Sequence, residues 1–198
     1  VKQEGANDPV TGQDLRRLNY DGGRVTQKDH IITYDQKGWS NFQFQVHTQW
    51  QPTPKGIQGS WSISSQTSDK APKETAEQVV TKSLQAGMAS SMESHIAWWK
   101  SFWDQSTIKI PDPVLQHQWY MEMYKLGSAA RKGAPPISLQ SVWTADNGKL
   151  PPWKGDYHHD LNTQLSYWPT YSGNHLDLEQ GFIDWLTQYK PTFKKYTK

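Results

Sequence analysis

The stretch Phe42-Gln43-Phe44-Gln45-Val46-His47-Thr48-Gln49-Trp50 decides how the first part of this chain is read. Phe42, Phe44, Val46, Thr48 and Trp50 alternate with Gln43, Gln45, His47 and Gln49. A period of two is that of a strand with one row of side chains turned inward and the other outward. A Pro/Gly-rich turn at 52–56 leads to Trp61 and Ile63 alternating with Ser62 and Ser64, so an antiparallel hairpin is expected. Residues 24–26 and 31–34 supply further candidate strands around polar turns.

These strands resemble the trailing part of a β-sandwich. A few strands alone leave edges exposed, so more sheet is expected to complete them. Near residue 70 the period changes. Val80, Leu84, Met88, Met92, Ile96, Trp99 and Trp103 recur every three or four residues, marking a long amphipathic helix. A second helix has Asp112 as candidate N-cap and Pro113 at its first position, with Leu115, Trp119, Met123, Leu126 and Ala130 on one line and Gly133, Pro135 and Pro136 as a stop. A third, short helix is expected on Leu161, Leu165 and Trp168, closed by Pro169, and a fourth on Leu178, Phe182, Trp185 and Tyr189, closed by Pro191. The order predicts an α+β chain in two parts.

Composition narrows the function. The 21 basic and 19 acidic residues of this 198-residue chain nearly balance and are scattered, which leaves no electrostatic footprint for nucleic acid. No apolar run approaches the roughly 20 residues of a membrane-spanning helix. The absence of cysteine excludes disulfides and thiolate metal sites. Val1 opens neither a signal peptide nor a reading frame, so a processed or engineered start is expected. Eleven Trp and nine Tyr stand out, and such flat amphipathic rings suit the faces of sugars, although any single Trp more often fills core.

The chemistry gathers between the second and third helices. Pro135-Pro136-Ile137-Ser138-Leu139-Gln140-Ser141-Val142-Trp143 is followed, after seven residues, by Pro151-Pro152-Trp153-Lys154-Gly155-Asp156-Tyr157-His158-His159-Asp160-Leu161-Asn162-Thr163-Gln164-Leu165-Ser166-Tyr167-Trp168-Pro169. Long loops in compact domains are commonly functional, and this one offers the ring platforms, hydroxyl-directed polar groups and carboxylates of a sugar pocket.

The succession Pro, Leu-Gln, Trp, then Pro-Pro-Trp, Asp-Tyr, an acid or carboxamide, Asn, Gln and Tyr-Trp-Pro resembles the signature of glycoside hydrolase family 95, the α-L-fucosidase-like family. The similarity extends over about residues 95–185. It implies an (α/α)6 barrel, an α/α toroid, preceded by a β-domain and a helical linker. Residues 1–70 would then be the β-domain portion, 71–111 the linker and 112–198 the first helices of an incomplete barrel. It also implies an exported exo-glycosidase, periplasmic or extracellular, that inverts configuration: a general acid protonates the leaving oxygen and a water is activated on the opposite face. No cofactor or metal is implied.

Family members hold that water with two asparagines two residues apart. The second is kept as Asn162, and Asp160 stands in place of the first. The same resemblance puts Trp143, Trp153, Tyr157, His158, His159, Gln164 and Trp168 on the substrate side. Asp160 could be the general base itself, or could cap the helix starting at Leu161, and the two roles are compatible. Ser166 and Tyr171 stand where the family tends to have Asn and Glu, so the sugar, α-L-fucose or a related α-L-galactoside, is open.

Three other readings compete. His158, His159 and Asp160, with His175 and Asp177, could suggest a metal, but adjacent residues point apart and no metal-binding His spacing occurs. A non-catalytic glycan-binding protein or inactive relative could use the same aromatic-rich surface. No Gly-x-Ser-x-Gly elbow or phosphate-cradling glycine loop is present. The family's acid is expected beyond Lys198, and the four apolar helix faces are expected to meet the remainder of the barrel, from the same polypeptide or a second chain.

Overall fold

The computed structural model describes residues 23–67, 70–141 and 155–197. Four strands come first: β1 (Arg24–Lys28), β2 (Ile31–Lys37), β3 (Gln43–Thr53) and β4 (Gly56–Gln66). They form one antiparallel sheet in the order β1-β2-β3-β4. The expected hairpin is β3–β4, with Thr53 paired to Gly56 across a two-residue turn. Gly56 has φ of 137°, a conformation that a side chain would strain. Val46 lies opposite Tyr34 and Ile63, while His47 lies opposite Thr33 and Ser62.

Burial separates the two rows most clearly on β4. On β4 the apolar residues are the open ones, with Ile57, Trp61 and Ile63 exposed at 75%, 66% and 57%. The most covered residue of β3 is His47, in the polar row. The cause is the direction from which the chain returns. The Ala76 N–H donates to Ser64 Oγ at 3.0 Å, so α1 (Ala76–Gln105) starts against the polar row, and Ala76 and Val80 are buried. Alternation separates two rows but does not say which one the rest of the chain will cover. Among the described residues there is one sheet and no second layer facing the Trp61 row.

Thr75 and Gln78 begin α1 with a reciprocal cap: the Thr75 N–H donates to Gln78 Oε1 at 2.9 Å and the Gln78 N–H to Thr75 Oγ1 at 3.2 Å. Gly87, with φ 81° and ψ 161°, breaks the helix. The chain divides into two compact units at Ile96 and Ala97, inside α1. Of the apolar line expected on this helix, Val80 is buried and Leu84, Trp99 and Trp103 are half-buried, while Met88, Met92 and Ile96 are exposed; the buried Phe102 lies off that line.

The helical unit continues with α2 (Pro113–Ala129), α3 (Asn162–Ser172), a 3-10 turn (Leu176–Glu179) and α4 (Gln180–Tyr196). Asp112 caps α2 as expected, accepting from the N–H groups of Val114 and Leu115 at 2.8 and 3.1 Å. The core joins Phe102, Met123, Leu126, Ala130, Tyr167, Leu178 and Phe182. Its rings pack by face and edge: Phe102 lies flat on His175 at 3.9 Å, and Tyr167 on Phe182 at 4.8 Å. Two glycines permit this closeness, since a Cβ at Gly127 would meet Phe102 at 2.8 Å and one at Gly181 would meet the Arg131 carbonyl oxygen at 2.5 Å.

Three expectations about the last helices are corrected. Pro169 does not close α3 and Pro191 does not close α4; each lies inside its helix. Leu178 belongs to the 3-10 turn and not to α4. The buried side of α3 is Thr163, Tyr167 and Thr170, whereas Leu161, Leu165 and Trp168 are exposed. Two of the three hydroxyls enter the interior paired: Thr170 Oγ1 donates to the Tyr167 carbonyl at 2.7 Å and Tyr167 Oη accepts from the Ile137 N–H at 2.8 Å, whereas Thr163 Oγ1 is buried with no hydrogen-bond partner among the described residues.

Candidate active site

The motif segment is drawn together at its two ends. The Leu139 N–H donates to the Asp156 carbonyl at 2.9 Å, Tyr157 Oη donates to the Pro136 carbonyl at 3.3 Å, and the Ile137 N–H reaches Tyr167. Three bonds therefore bring residues 136–139 against residues 156–167. Trp143 and Trp153 lie outside the described residues.

Within 155–161 the side chains part in two directions. Tyr157 and His159 turn toward α4, their rings parallel at 5.8 Å. Each meets Trp185, at 5.2 and 5.1 Å, and His159 also contacts Phe182 and Phe193. Burial, with Tyr189 nearby, raises the Tyr157 phenol above its usual value, and burial does the same to Tyr167 against the opposing effect of the Ile137 N–H. His159 Nδ1 is buried with no hydrogen-bond partner among the described residues. These two residues are wedged among rings, and Trp185, read from sequence only as part of an apolar line, is what holds both.

Asp160, Asn162, Gln164 and Trp168 are exposed. Asp156, also exposed, approaches His158 Nε2 with its Oδ1 at 3.1 Å. Gln164 Nε2 donates to the His159 carbonyl at 3.1 Å, which ties the first turn of α3 to the loop before it. Leu161 is the N-cap of α3, and no side chain bonds there. The capping role considered for Asp160 is thus not realised, because helical geometry begins at Asn162 and the turn before it is closed by the Thr163 N–H on the His158 carbonyl at 2.9 Å. Asp160 and Asn162 stand two residues apart at the open end of a helix, with the Asp160 carboxylate unpaired among the described residues.

A groove of about 320 Å³ runs between α2, residues 137–141 and α3. Leu165, Ser166 and Pro169 form its α3 side. Pro169 has no N–H, so the Leu165 carbonyl lacks its usual helical donor. Ser141, with φ of 53°, and Gln140 also line the groove, and each has a buried oxygen without a hydrogen-bond partner among the described residues. Sequence reading quoted both residues as part of the motif without giving either a role.

Among the described residues no group of three or more His, Asp or Glu side chains could hold a metal ion. His175, the distant member of the metal reading, is stacked in the core on Phe102. No helix among the described residues is long and apolar enough to cross a membrane.

The chain's relatives agree with the motif. It is 33% identical over 64 residues to alpha-L-fucosidase 2 of Arabidopsis thaliana, covering 32% of this chain and 7% of that protein. It is 26% identical over 113 residues to probable alpha-fucosidase A of Aspergillus niger, covering 46% of this chain and 14% of that protein. The chain thus spans only a small part of the length of either. Residues 88–198, more than half of the chain, match the glycosyl hydrolase family 95 catalytic domain. With the motif running into α3 and this match over the whole helical unit, the chain belongs to glycoside hydrolase family 95.

Proposed function

We propose that this chain contributes the water side of an exo-glycosidase site that removes α-L-fucose, or a related α-L-galactoside, from glycans with inversion. The observation that carries the reading is the pair Asp160 and Asn162, two residues apart, exposed and uncommitted to capping at the start of α3. A carboxylate with no internal partner can accept a proton from water, while the neighbouring carboxamide orients that water. Trp168 and Gln164 on α3, with His158 before it, would meet the sugar's ring face and hydroxyls. The general acid comes from barrel helices outside this chain segment, in the same polypeptide or in a second chain. Those helices would also cover Leu161 and Leu165, two large apolar residues exposed at the start of α3. On this proposal the first 70 residues are part of a β-sandwich, 71–111 a linker and 112–198 the opening of the barrel, and the protein works outside the cytoplasm.

Replacing Asp160 by Asn tests it directly. In the complete protein, with the general acid supplied, turnover of an aryl α-L-fucoside should fall by at least about 10²-fold, the usual scale for a lost general base. Near wild-type rates would leave Asp160 a positioning role only. Because Asp160 caps nothing, the variant's circular dichroism and melting temperature should match the parent, so lost activity would not reflect lost fold. Aryl galactosides and rhamnosides in the same assay would identify the sugar.

A second reading, a glycan-binding or inactive relative, is favoured by one observation. Two acids near α3 other than Asp160 are engaged elsewhere, Asp156 with His158 and Glu179 with Tyr171 Oη at 2.8 Å. Binding of fucosylated glycans without turnover by the protein would select it.

A further inference from the structure

We propose that the sheet unit carries a second saccharide site, a cleft that takes a sugar bearing a carboxylate. This rests on the glycoside hydrolase reading only for the expectation that glycans are at hand; the geometry is independent of α3.

The cleft follows from the sheet register. Arg24 pairs with Asp35, Asp35 with Gln45, and Gln45 with Ser64, so one polar row crosses all four strands. Two residues along, Lys37 pairs with Gln43 and Gln43 with Gln66, giving a second row on the same face. Pro72 and Thr75, where the chain turns into α1, add to the wall, and Gln36, Phe44 and Ser65 from the alternate positions of the strands also line the cleft. The enclosed volume is about 580 Å³, within the range of small-ligand sites and ample for one or two sugar rings.

The chemistry of the walls selects the ligand. Amides and hydroxyls from Gln43, Gln45, Gln66 and Ser64 suit the alternating donors and acceptors of a polyol. The only carboxylate on these rows, Asp35, already accepts from Gln45 Nε2 at 2.8 Å. Arg24 and Lys37 have no ion pair among the described residues, although Arg24 stands directly across from Asp35 in the ladder. Two cations on neighbouring strands against the single carboxylate of Asp35, over a floor of amides, leave one positive charge in excess and match a uronate: its carboxylate on the cations and its ring hydroxyls on the glutamines.

The test is calorimetric titration of the protein with a methyl glucuronide and with the neutral methyl glucoside. The uronate should bind roughly tenfold tighter at low salt, the scale of one charge-assisted hydrogen bond, and lose that margin at high salt. In the double variant Arg24→Gln, Lys37→Gln the two sugars should bind alike, with the aryl α-L-fucoside rate unchanged. Equal binding of both sugars by the parent protein would overturn the proposal. So would a uronate preference that survives the double substitution, or acetate and phosphate binding as tightly as the uronate. Uronate binding without fucoside turnover would count against the proposed activity and leave the cleft standing, whereas turnover without uronate binding would do the reverse.

Discussion

The sheet unit and the helical unit finish their surfaces in opposite ways. In the helical unit the core is built on rings: Phe102, Tyr167 and Phe182 are buried, and Phe102 alone contacts Trp98, Trp99, Trp103 and His175. On β4 of the sheet unit the polar residues Ser60, Ser62 and Ser64 are half-buried while Ile57, Trp61 and Ile63 are open. Apolar pattern alone therefore measures where burial is possible, and the path of the chain decides where it happens.

The largest way to break this contrast is Phe102→Ala, which should cost about 3–5 kcal/mol in urea unfolding, since the ring is buried among four others. A loss under about 1 kcal/mol would mean that the helical core closes without it. Next in size is a pH effect at His175. Burial lowers its imidazole below the usual 6.5, with Asp177 opposing, so it is held neutral in the fold. The unfolded chain then binds the extra proton. Stability is fully present above about pH 6.5 and is lost as pH falls from there through the folded value. Melting temperatures between pH 7.5 and 5 should fall in the parent and fall less in His175→Leu.

A smaller effect is expected at Asp112→Ala, about 1 kcal/mol, from two N–H groups left unpaired at the start of α2. Smallest is Trp61→Ser, within about 0.5 kcal/mol, because the indole is two-thirds exposed. A large loss there would show that the open row is covered in solution, and would erase the difference between the two units.

Much of this was legible beforehand, for identifiable reasons. The hairpin could be read because Phe44, Val46 and Trp50 alternate strictly with polar residues, and α2 because Asp112-Pro113 is a start signal with a direct mechanism. The inner side of α3 was not legible. Leu161, Leu165 and Trp168 are its most apolar residues, yet Thr163, Tyr167 and Thr170 go inside, and the hydroxyls of Tyr167 and Thr170 find main-chain partners that no periodicity reveals. Pro169 and Pro191 misled for a related reason: a proline removes one helical bond but does not end a helix whose sides are held by neighbours. At the candidate site, the motif singled out Asp160 and Asn162 but not that Tyr157 and His159 would be gripped by Trp185, a contact between residues more than twenty-five positions apart.

The three bonds that draw residues 136–139 against 156–167 have a consequence for how such a chain can diverge. They pin both ends of the intervening stretch to α3 and to each other, so insertions or deletions between Ser141 and Gly155 need not disturb the anchors. Lineages can lengthen, shorten or rewrite that stretch while inheriting an unchanged α3, and new glycan preferences can then arise by changes of length as readily as by point substitution.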